Sequence, residues 1–140
     1  MLKEQYPKIF LYRRLVQAKL FIDANYAAHI KLNDIAGEAY SSKFHFIRQF
    51  KEAYRKTPHQ YLTWVRLGKA RQLLKEGKSV ADVCYAVGFE SLGSFTSLFK
   101  KTFSVTPSQY YKQQLLLKAQ MKTSPLSFIP ACFAQNMHLR

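Results

Sequence analysis

One phrase of twelve residues occurs twice in this chain of 140 residues. The stretch "FKEAYRKTPHQY" runs from Phe50 to Tyr61, and "FKKTFSVTPSQY" runs from Phe99 to Tyr110. The offset between the two prolines is 107 − 58 = 49, and the shared Phe, Lys, Thr-Pro, Gln and Tyr stay in register. A repeat that keeps its register over this length restricts the fold to two copies of one structural unit.

The spacing of apolar residues predicts that the first unit is helical. A first helix is expected from Lys8 to about Asn25, with Pro7 near its start. The apolar positions recur at i, i+4, i+7 and i+11, and therefore share one side of this helix. These positions are Leu11, Leu15, Ala18 and Ile22.

A second helix and a third helix are predicted next, with a tight turn between them. The second should run from Leu32 to Ala39, with Asn33 as its cap. "YSS" turns the chain, and Ser42 is a suitable N-cap for the third helix. The third helix carries a stripe at i, i+4 and i+8, namely Phe46, Phe50 and Tyr54.

The remaining helices repeat this arrangement. Pro58 should open a fourth helix that runs to Gly77, a length of about 25 Å at 1.5 Å per residue. Ser79 then caps a fifth helix, "GFES" makes the turn, and Pro107 opens a last helix. The stripe of the sixth helix is Phe95, Phe99 and Phe103. The sequence therefore predicts an all-α fold of about seven helices in which a helical hairpin is duplicated.

The alignment of the two copies also locates one insertion. "DIAGEAYS" at 34–41 matches "DVCYAVGF" at 82–89 with an offset of 48, whereas everything after the turn is offset by 49. One residue is thus added in the second turn. Helix-turn-helix units tolerate such a change because turn length can vary while the packing stripes cannot.

The charge of the chain predicts an acidic partner. There are 22 basic and 8 acidic side chains, for a formal net charge of +14. Ten Lys or Arg lie between Lys43 and Lys78, and no Asp or Glu follows Glu90. A field of this sign attracts polyanions such as nucleic acid or an anionic membrane. We therefore expect one strongly basic face.

Other classes of protein fit the sequence poorly. No apolar run approaches the roughly 20 residues that cross a bilayer, and the N-terminus lacks the features of a signal peptide, so we expect an intracellular protein. Cys84 and Cys132 have no zinc-ligand spacing and are interpreted as buried small hydrophobes. The His residues have no metal-like spacing, and no catalytic motif occurs. We expect no metal, no cofactor and no enzymatic activity.

The stretch "VADVCYAVGFES" followed by "FTSLFKKTFSVTPSQY" is similar to the signature of the AraC/XylS family of bacterial transcription regulators. The resemblance extends from Leu32 to Tyr111. It implies two homeodomain-like helix-turn-helix subdomains joined by a long helix, with their second helices in adjacent major grooves of double-stranded DNA. Arg55 and Ser104 stand where the family usually has Gly, and Cys84 stands where it usually has Ala.

The resemblance also implies a division of the chain. The implied division has a first subdomain at 1–57, a linker helix at 58–77, a second subdomain at 78–120, and a tail at 121–140 outside the family pattern. Recognition helices are expected at about 42–55 and 91–103. The implied partners are double-stranded DNA and, for an activator, RNA polymerase, in the bacterial cytoplasm and nucleoid. The oligomeric state stays open.

Helical geometry selects the candidate DNA contacts of the third helix. At 100° per residue, four residues lie opposite the apolar stripe: Phe44, Arg48, Lys51 and Arg55. Ser42 and Lys43, at the helix start, suit a phosphate because of the unpaired N–H groups there. Arg48 is the best candidate for a base contact, since its guanidinium can meet guanine O6 and N7.

Several of these residues have a plainer interpretation. Lys51 and Arg55 can simply form a solvated helix face. Phe44 and Ile47 can pack on a thymine methyl group, but Ile47 can equally pack at the edge of the core. His45 is interpreted as a structural or surface residue.

The sixth helix offers a different set of side chains. Its outward or N-terminal candidates are Ser91, Leu92, Gly93, Ser94, Thr96 and Ser97. Lys100 and Lys101 are interpreted as phosphate contacts. Arg66, on the long helix, can form a structural ion pair or a contact to the DNA backbone, and we favour the structural role.

Two rival functions fit these residues less well. A basic RNA-binding or structural protein would explain the charge but not the register of the repeat. An enzyme attached to this unit would have only Cys132 as a nucleophile, with no identifiable base beside it.

Overall fold

A computed structural model of the chain describes residues 2–36 and 43–123, which form seven helices and no strand. The all-α prediction is confirmed. The helices are α1 (Leu2–Asn25), α2 (Leu32–Ala36), α3 (Lys43–Tyr54), α4 (Pro58–Lys75), α5 (Val80–Ala86), α6 (Leu92–Phe103) and α7 (Pro107–Thr123). The predicted turn "YSS", with Ser42, and the predicted end of the second helix at Ala39 lie outside the described residues.

Two helix starts differ from the sequence prediction. Helix α1 begins at Leu2, six residues before Lys8, because the apolar stripe used for the prediction starts later than the helix does. Asn33 is not the cap of α2 but its second residue. The side chain of Asp34 instead accepts the backbone N–H of Lys31 at 2.9 Å, which satisfies one unpaired donor before the helix.

Helix α1 carries two apolar stripes rather than one. Leu15, Ala18 and Ile22 are buried in the core, as predicted. A second stripe with the same helical period lies on the exposed side: Ile9, Tyr12, Val16 and Leu20. The periodicity of the sequence therefore located the helix correctly but described only one of its two apolar sides.

The repeated "TP-x-Q" is a pair of helix caps. Thr57 Oγ1 accepts the N–H of Gln60 at 3.2 Å, and Gln60 Oε1 accepts the N–H of Thr57 at 2.9 Å. Thr106 and Gln109 form the same two bonds at the same distances before α7. This reciprocal capping box satisfies two backbone donors at each helix start. The Pro that follows each Thr fits the first helical position, where it loses no bond.

The repeated aromatic residues form matching contacts in the two copies. Phe50 packs on Tyr61 with ring centroids 5.8 Å apart, and Phe99 packs on Tyr110 at 5.9 Å. Within each recognition helix, the first two stripe rings lie 5.8 Å apart in both copies. Each repeat is thus a helix, a capped turn and the start of the next helix, and the same Phe–Tyr contact across the turn holds both copies.

The two copies have separate apolar cores. The first core includes Leu15, Ile22, Phe46, Phe50 and Leu62. The second core includes Leu67, Leu74, Val83, Phe95 and Phe99. Helix α4 contributes to both, and its 18 residues correspond to about 27 Å. The long helix therefore joins the two units by its own packing.

Both recognition helices end at a residue that adopts the left-handed conformation without being glycine. Arg55 has φ 63° and Ser104 has φ 68°. Their backbone N–H groups donate to Lys51 O and Lys100 O, each at 2.8 Å. The departure from glycine at these two positions therefore leaves the turn intact, at the energetic cost of a strained backbone.

We expect Arg55→Gly and Ser104→Gly each to raise the free energy of unfolding by about 0.5–1 kcal/mol, because glycine adopts positive φ without a Cβ clash. Urea unfolding measures the change. Glu52→Gly, in the interior of α3, is the control and should lower stability by about 1 kcal/mol. Destabilisation by all three changes would contradict the assignment of strain.

Candidate nucleic-acid interface

Helix α3 places a basic and apolar surface opposite its buried stripe. Phe46 and Phe50 are fully buried, whereas Phe44 is 78% exposed on the other side. The exposed candidates are Lys43, Phe44, Arg48 and Lys51. Ile47 is half-buried. Ser42 lies outside the described residues.

Helix α6 presents smaller side chains on the corresponding surface. Ser91 is its N-cap, and its Oγ accepts the N–H of Ser94 at 3.1 Å. The exposed candidates are Ser91, Leu92, Gly93, Ser94, Ser97, Lys100 and Lys101. Thr96 was predicted to be outward but is half-buried, because it sits beside the buried Phe95 at the edge of the stripe. The cap gives Ser91 a structural role in addition to any contact with a ligand.

The register of the repeat pairs the candidate residues one by one. The offset of 49 places Arg48 opposite Ser97 and Lys51 opposite Lys100. All four are exposed on their helices. Both recognition helices therefore carry a lysine at the Lys51 position. They differ at the Arg48 position, where α3 has a long cationic side chain and α6 has the short side chain of Ser97.

Arg66, half-way along α4, binds the loop that follows α1. Its Nε donates to Tyr26 O at 2.6 Å, and its Nη2 donates to Ala28 O at 3.0 Å. Its guanidinium also lies over the ring of Phe89, 5.9 Å from the centroid. Burial lowers the pKa of Arg66, and the Glu90 carboxylate offsets part of that change. Arg66 therefore has a structural role, as favoured from the sequence, but its partners are backbone carbonyls and not the expected ion-pair partner.

Gly88, in the turn between α5 and α6, packs against this same contact. It has φ +99°, and a Cβ built on it would lie 2.9 Å from Arg66 Nε and 2.9 Å from Tyr26 O. Two turns of the chain and the long helix thus meet around the backbone of Gly88. The "GF" in the second turn was visible in the sequence, but nothing in the sequence indicated that its partner was the end of α1.

An exposed contact between a histidine and a carboxylate joins the same two segments. His29 Nδ1 lies 3.1 Å from Glu90 Oε1, with both side chains largely in solvent. Because exposed pairs contribute little to stability, the contribution of this pair is small beside that of Arg66. The contact nevertheless gives a partner to Glu90, the acidic residue that precedes the start of α6.

The described residues hold neither a metal cluster nor a membrane-spanning helix. Within residues 2–36 and 43–123, no group of three His, Cys, Asp or Glu could hold a metal ion. No helix in that part of the chain is long and apolar enough to cross a bilayer. Cys84 is buried, as predicted, and burial raises the pKa of its thiol. Cys132 lies outside the described residues.

The two units have the architecture of helix-turn-helix DNA-binding domains: α2 with α3, and α5 with α6, held by the long helix α4. Residues 35–113, more than half of the chain, match the protein family described as a helix-turn-helix domain. The chain belongs to the AraC/XylS family of transcription regulators, as the resemblance implied.

Three similar proteins illustrate this relationship. The chain is 31% identical over 116 residues to the lactose operon transcription activator of Staphylococcus xylosus. This match covers 78% of this chain and 42% of the activator. A solved AraC-type regulator from Chromobacterium violaceum is 31% identical, with a TM-score of 0.65 over 74% of this chain and 93% of that one. The DNA-binding domain of AdpA, solved with a target DNA, shares the fold at 23% identity and a TM-score of 0.66, over 79% and 96%.

We expect Gly88→Ala to lower the free energy of unfolding by roughly 1–3 kcal/mol, because the new methyl group meets Arg66 and Tyr26 at a positive φ. Gly68→Ala is the matched control on α4. Apart from its chain neighbours and the backbone of its own helix, no described atom lies within 4 Å of its missing Cβ, so stability should rise by about 0.5–1 kcal/mol. Equal effects of the two substitutions in urea unfolding would contradict the packing around Gly88.

Proposed function

We propose that this chain is a sequence-specific DNA-binding regulator of transcription that inserts α3 and α6 into adjacent major grooves of a promoter. The observation that carries the proposal is the exposed face of α3, where Arg48 and Lys51 lie away from the fully buried Phe46 and Phe50 and the exposed Lys43 stands at the helix start. A helix that fits the major groove needs one such free face and one anchored face. The AdpA domain, solved with a target DNA, has the same fold.

The proposed domain division follows from the two cores. The first subdomain, residues 1–57, and the second, residues 78–120, each have a recognition helix, and residues 58–77 form the linker helix. The separate clusters around Phe50 and Phe99 support this division. The chain acts by binding rather than by catalysis. Its activating or repressing effect, and any contact with RNA polymerase, are properties of the whole regulator.

The two recognition helices have different tasks in this proposal. In α3, Arg48 reads a guanine in a bidentate manner while Lys43 and Lys51 contact phosphates. Phe44, which is 78% exposed, packs against a thymine methyl group. In α6, Lys100 and Lys101 contact the backbone, and the small residues near Ser94 and Ser97 approach the groove without a long side chain. The other proposed DNA contacts are Ser42, Ile47, Ser91, Leu92, Gly93 and Thr96.

Genomic footprinting with the purified chain tests the function directly. A protein with two recognition helices about one DNA turn, or 34 Å, apart should protect roughly 20 base pairs on one face of the duplex. A thousandfold excess of RNA, as an order of magnitude, should not compete for that site if binding reads the DNA major groove. Efficient competition by RNA would favour the basic RNA-binding alternative.

The spacing of the half-sites provides a geometric prediction. An insertion of about five base pairs turns one half-site to the opposite face of the duplex, and α4 is too short to follow it. We expect specific binding to be lost in a gel-shift assay. An insertion of about five base pairs outside the two half-sites is the control for DNA length alone. Full affinity after the shorter insertion would mean that one unit reads the DNA by itself.

The salt dependence of binding measures the phosphate contacts. With six to ten contacts, affinity should fall by about 10³ to 10⁵ between 50 and 200 mM salt. Replacement of both Lys100 and Lys101 by Gln should weaken binding to all sequences alike and reduce the slope by roughly one unit per lost contact. The matched control replaces Lys112 and Lys122, exposed on α7, and should change the slope less.

Arg48 and Ser97 occupy equivalent positions and test the division of tasks. We expect Arg48→Ala to lower the affinity by about 1–3 kcal/mol and to relax the preference at one or two base pairs. Ser97→Ala should cost well under about 1 kcal/mol, since a hydroxyl makes no bidentate contact. Saturation mutagenesis of the operator is the measurement. Equally costly base changes under both helices would refute the division.

A further inference from the structure

A groove runs beside α4 on the side away from Gly88. It has a volume of about 430 Å³, and its walls come from α1, α4 and the end of α6. Its apolar surface is formed mainly by Tyr61, Trp64, Val65 and Phe103. Small-molecule sites have volumes of roughly 300–1,000 Å³ and are lined by apolar and aromatic groups with a few polar ones. The groove matches such a site in size and composition.

Gly68 forms the floor of this groove. It lies in the interior of α4, where glycine costs about 1 kcal/mol relative to alanine. Apart from its chain neighbours and the backbone of α4, no described atom comes within 4 Å of the position of its missing Cβ. The internal packing of the described residues therefore does not require a glycine here, in contrast to Gly88. A residue without a side chain at this point keeps the groove open.

The charged groups around the groove are mostly cationic. Lys69 and Arg71 line it, and Lys56 Nζ lies 5.4 Å from the centroid of the Trp64 ring. The guanidinium of Arg71 stacks over Phe103 at 4.7 Å. Within the described part of the chain, none of these three cations has a carboxylate partner at ion-pair distance. The groove thus pairs aromatic surface with positive charge that is not neutralised.

The one acidic group in the lining is already engaged. Asp23 accepts the hydroxyl of Tyr61 at 2.7 Å and forms an ion pair with Lys19 at 3.0 Å. The ammonium of Lys19 offsets the charge of this carboxylate, and the Tyr61 hydroxyl occupies its other oxygen. The groove as a whole therefore favours an anion over a cation.

The groove is separate from the candidate DNA contacts. Phe103 is the last residue of α6 and continues its inward stripe, whereas the proposed contacts occupy the outward side and the N-terminal end of that helix. None of the lining residues is a candidate for contact with DNA. An occupant of the groove would leave the recognition surface of α6 free.

We propose that this groove is a binding site for a small amphipathic organic acid. The apolar body of the ligand packs between Trp64 and Phe103 over Gly68, and its carboxylate lies at Arg71 and Lys69. A guanidinium suits this task because it combines charge with donors that fit a carboxylate. The proposed ligand site is independent of the proposed role in transcription, because none of the residues that line the groove is a proposed DNA contact.

Trp64 provides the measurement, because it is the only tryptophan of the chain. Phenylbutyrate is the probe, and phenylbutanol is the uncharged probe with the same skeleton. We expect phenylbutyrate to change the Trp64 fluorescence in a saturable manner and to give a matching calorimetric isotherm. Phenylbutanol should bind about tenfold more weakly, the loss expected when a charge-assisted hydrogen bond is removed.

Three variants separate a specific site from adhesion to an apolar surface. Gly68→Leu should fill the groove and abolish binding, while circular dichroism shows an intact helical fold. Arg71→Gln should weaken phenylbutyrate about tenfold and leave phenylbutanol unchanged. Lys122→Gln removes an exposed cation at the end of α7 and should change neither affinity.

Several results would overturn the proposal. These are the absence of saturable binding, equal affinity for the acid and the alcohol, unchanged binding in Gly68→Leu, or an equal loss in Arg71→Gln and Lys122→Gln. Loss of operator binding by the chain would not bear on it, because the fluorescence titration contains no DNA.

Discussion

The contact between Arg66 and the carbonyl groups after α1 holds the two helix-turn-helix units in one arrangement. Tyr26 O and Ala28 O follow the end of a helix, where carbonyl groups lack helical partners. A guanidinium can serve two of them at once from a fixed position on α4. Gly88 then allows the second turn to approach the same point, so the start of α6 depends on the end of α1.

The duplicated sequence determines each unit but not their relation. Thr57 with Gln60, and Thr106 with Gln109, set the direction in which the chain leaves each recognition helix. The aromatic stripe then decides which side of that helix is buried. These devices are local and identical in the two copies. Arg66 has no equivalent in the other copy of the repeat. It lies on α4, the helix that joins the two units, and contacts the first unit from there.

The same helix α4 also separates the surfaces of the molecule. One side contacts the turns through Arg66, another packs into the second core through Leu67 and Leu74, and a third forms the groove around Gly68. A helix of about 27 Å can present these sides independently, since residues three or four apart share a face. The linker helix α4 can therefore join the two units and also form one wall of the groove.

The sequence by itself determined the helices, the buried faces of α3 and α6, and the family, because these depend on local spacing and caps. It also placed Leu15, Ala18 and Ile22 of α1 in the core, but it did not reveal the second, exposed stripe of that helix, which has the same period. It favoured a structural role for Arg66 but did not identify the partners. Only the tertiary structure decided them, because the carbonyl groups of Tyr26 and Ala28 that accept its hydrogen bonds lie 38 to 40 positions away along the chain.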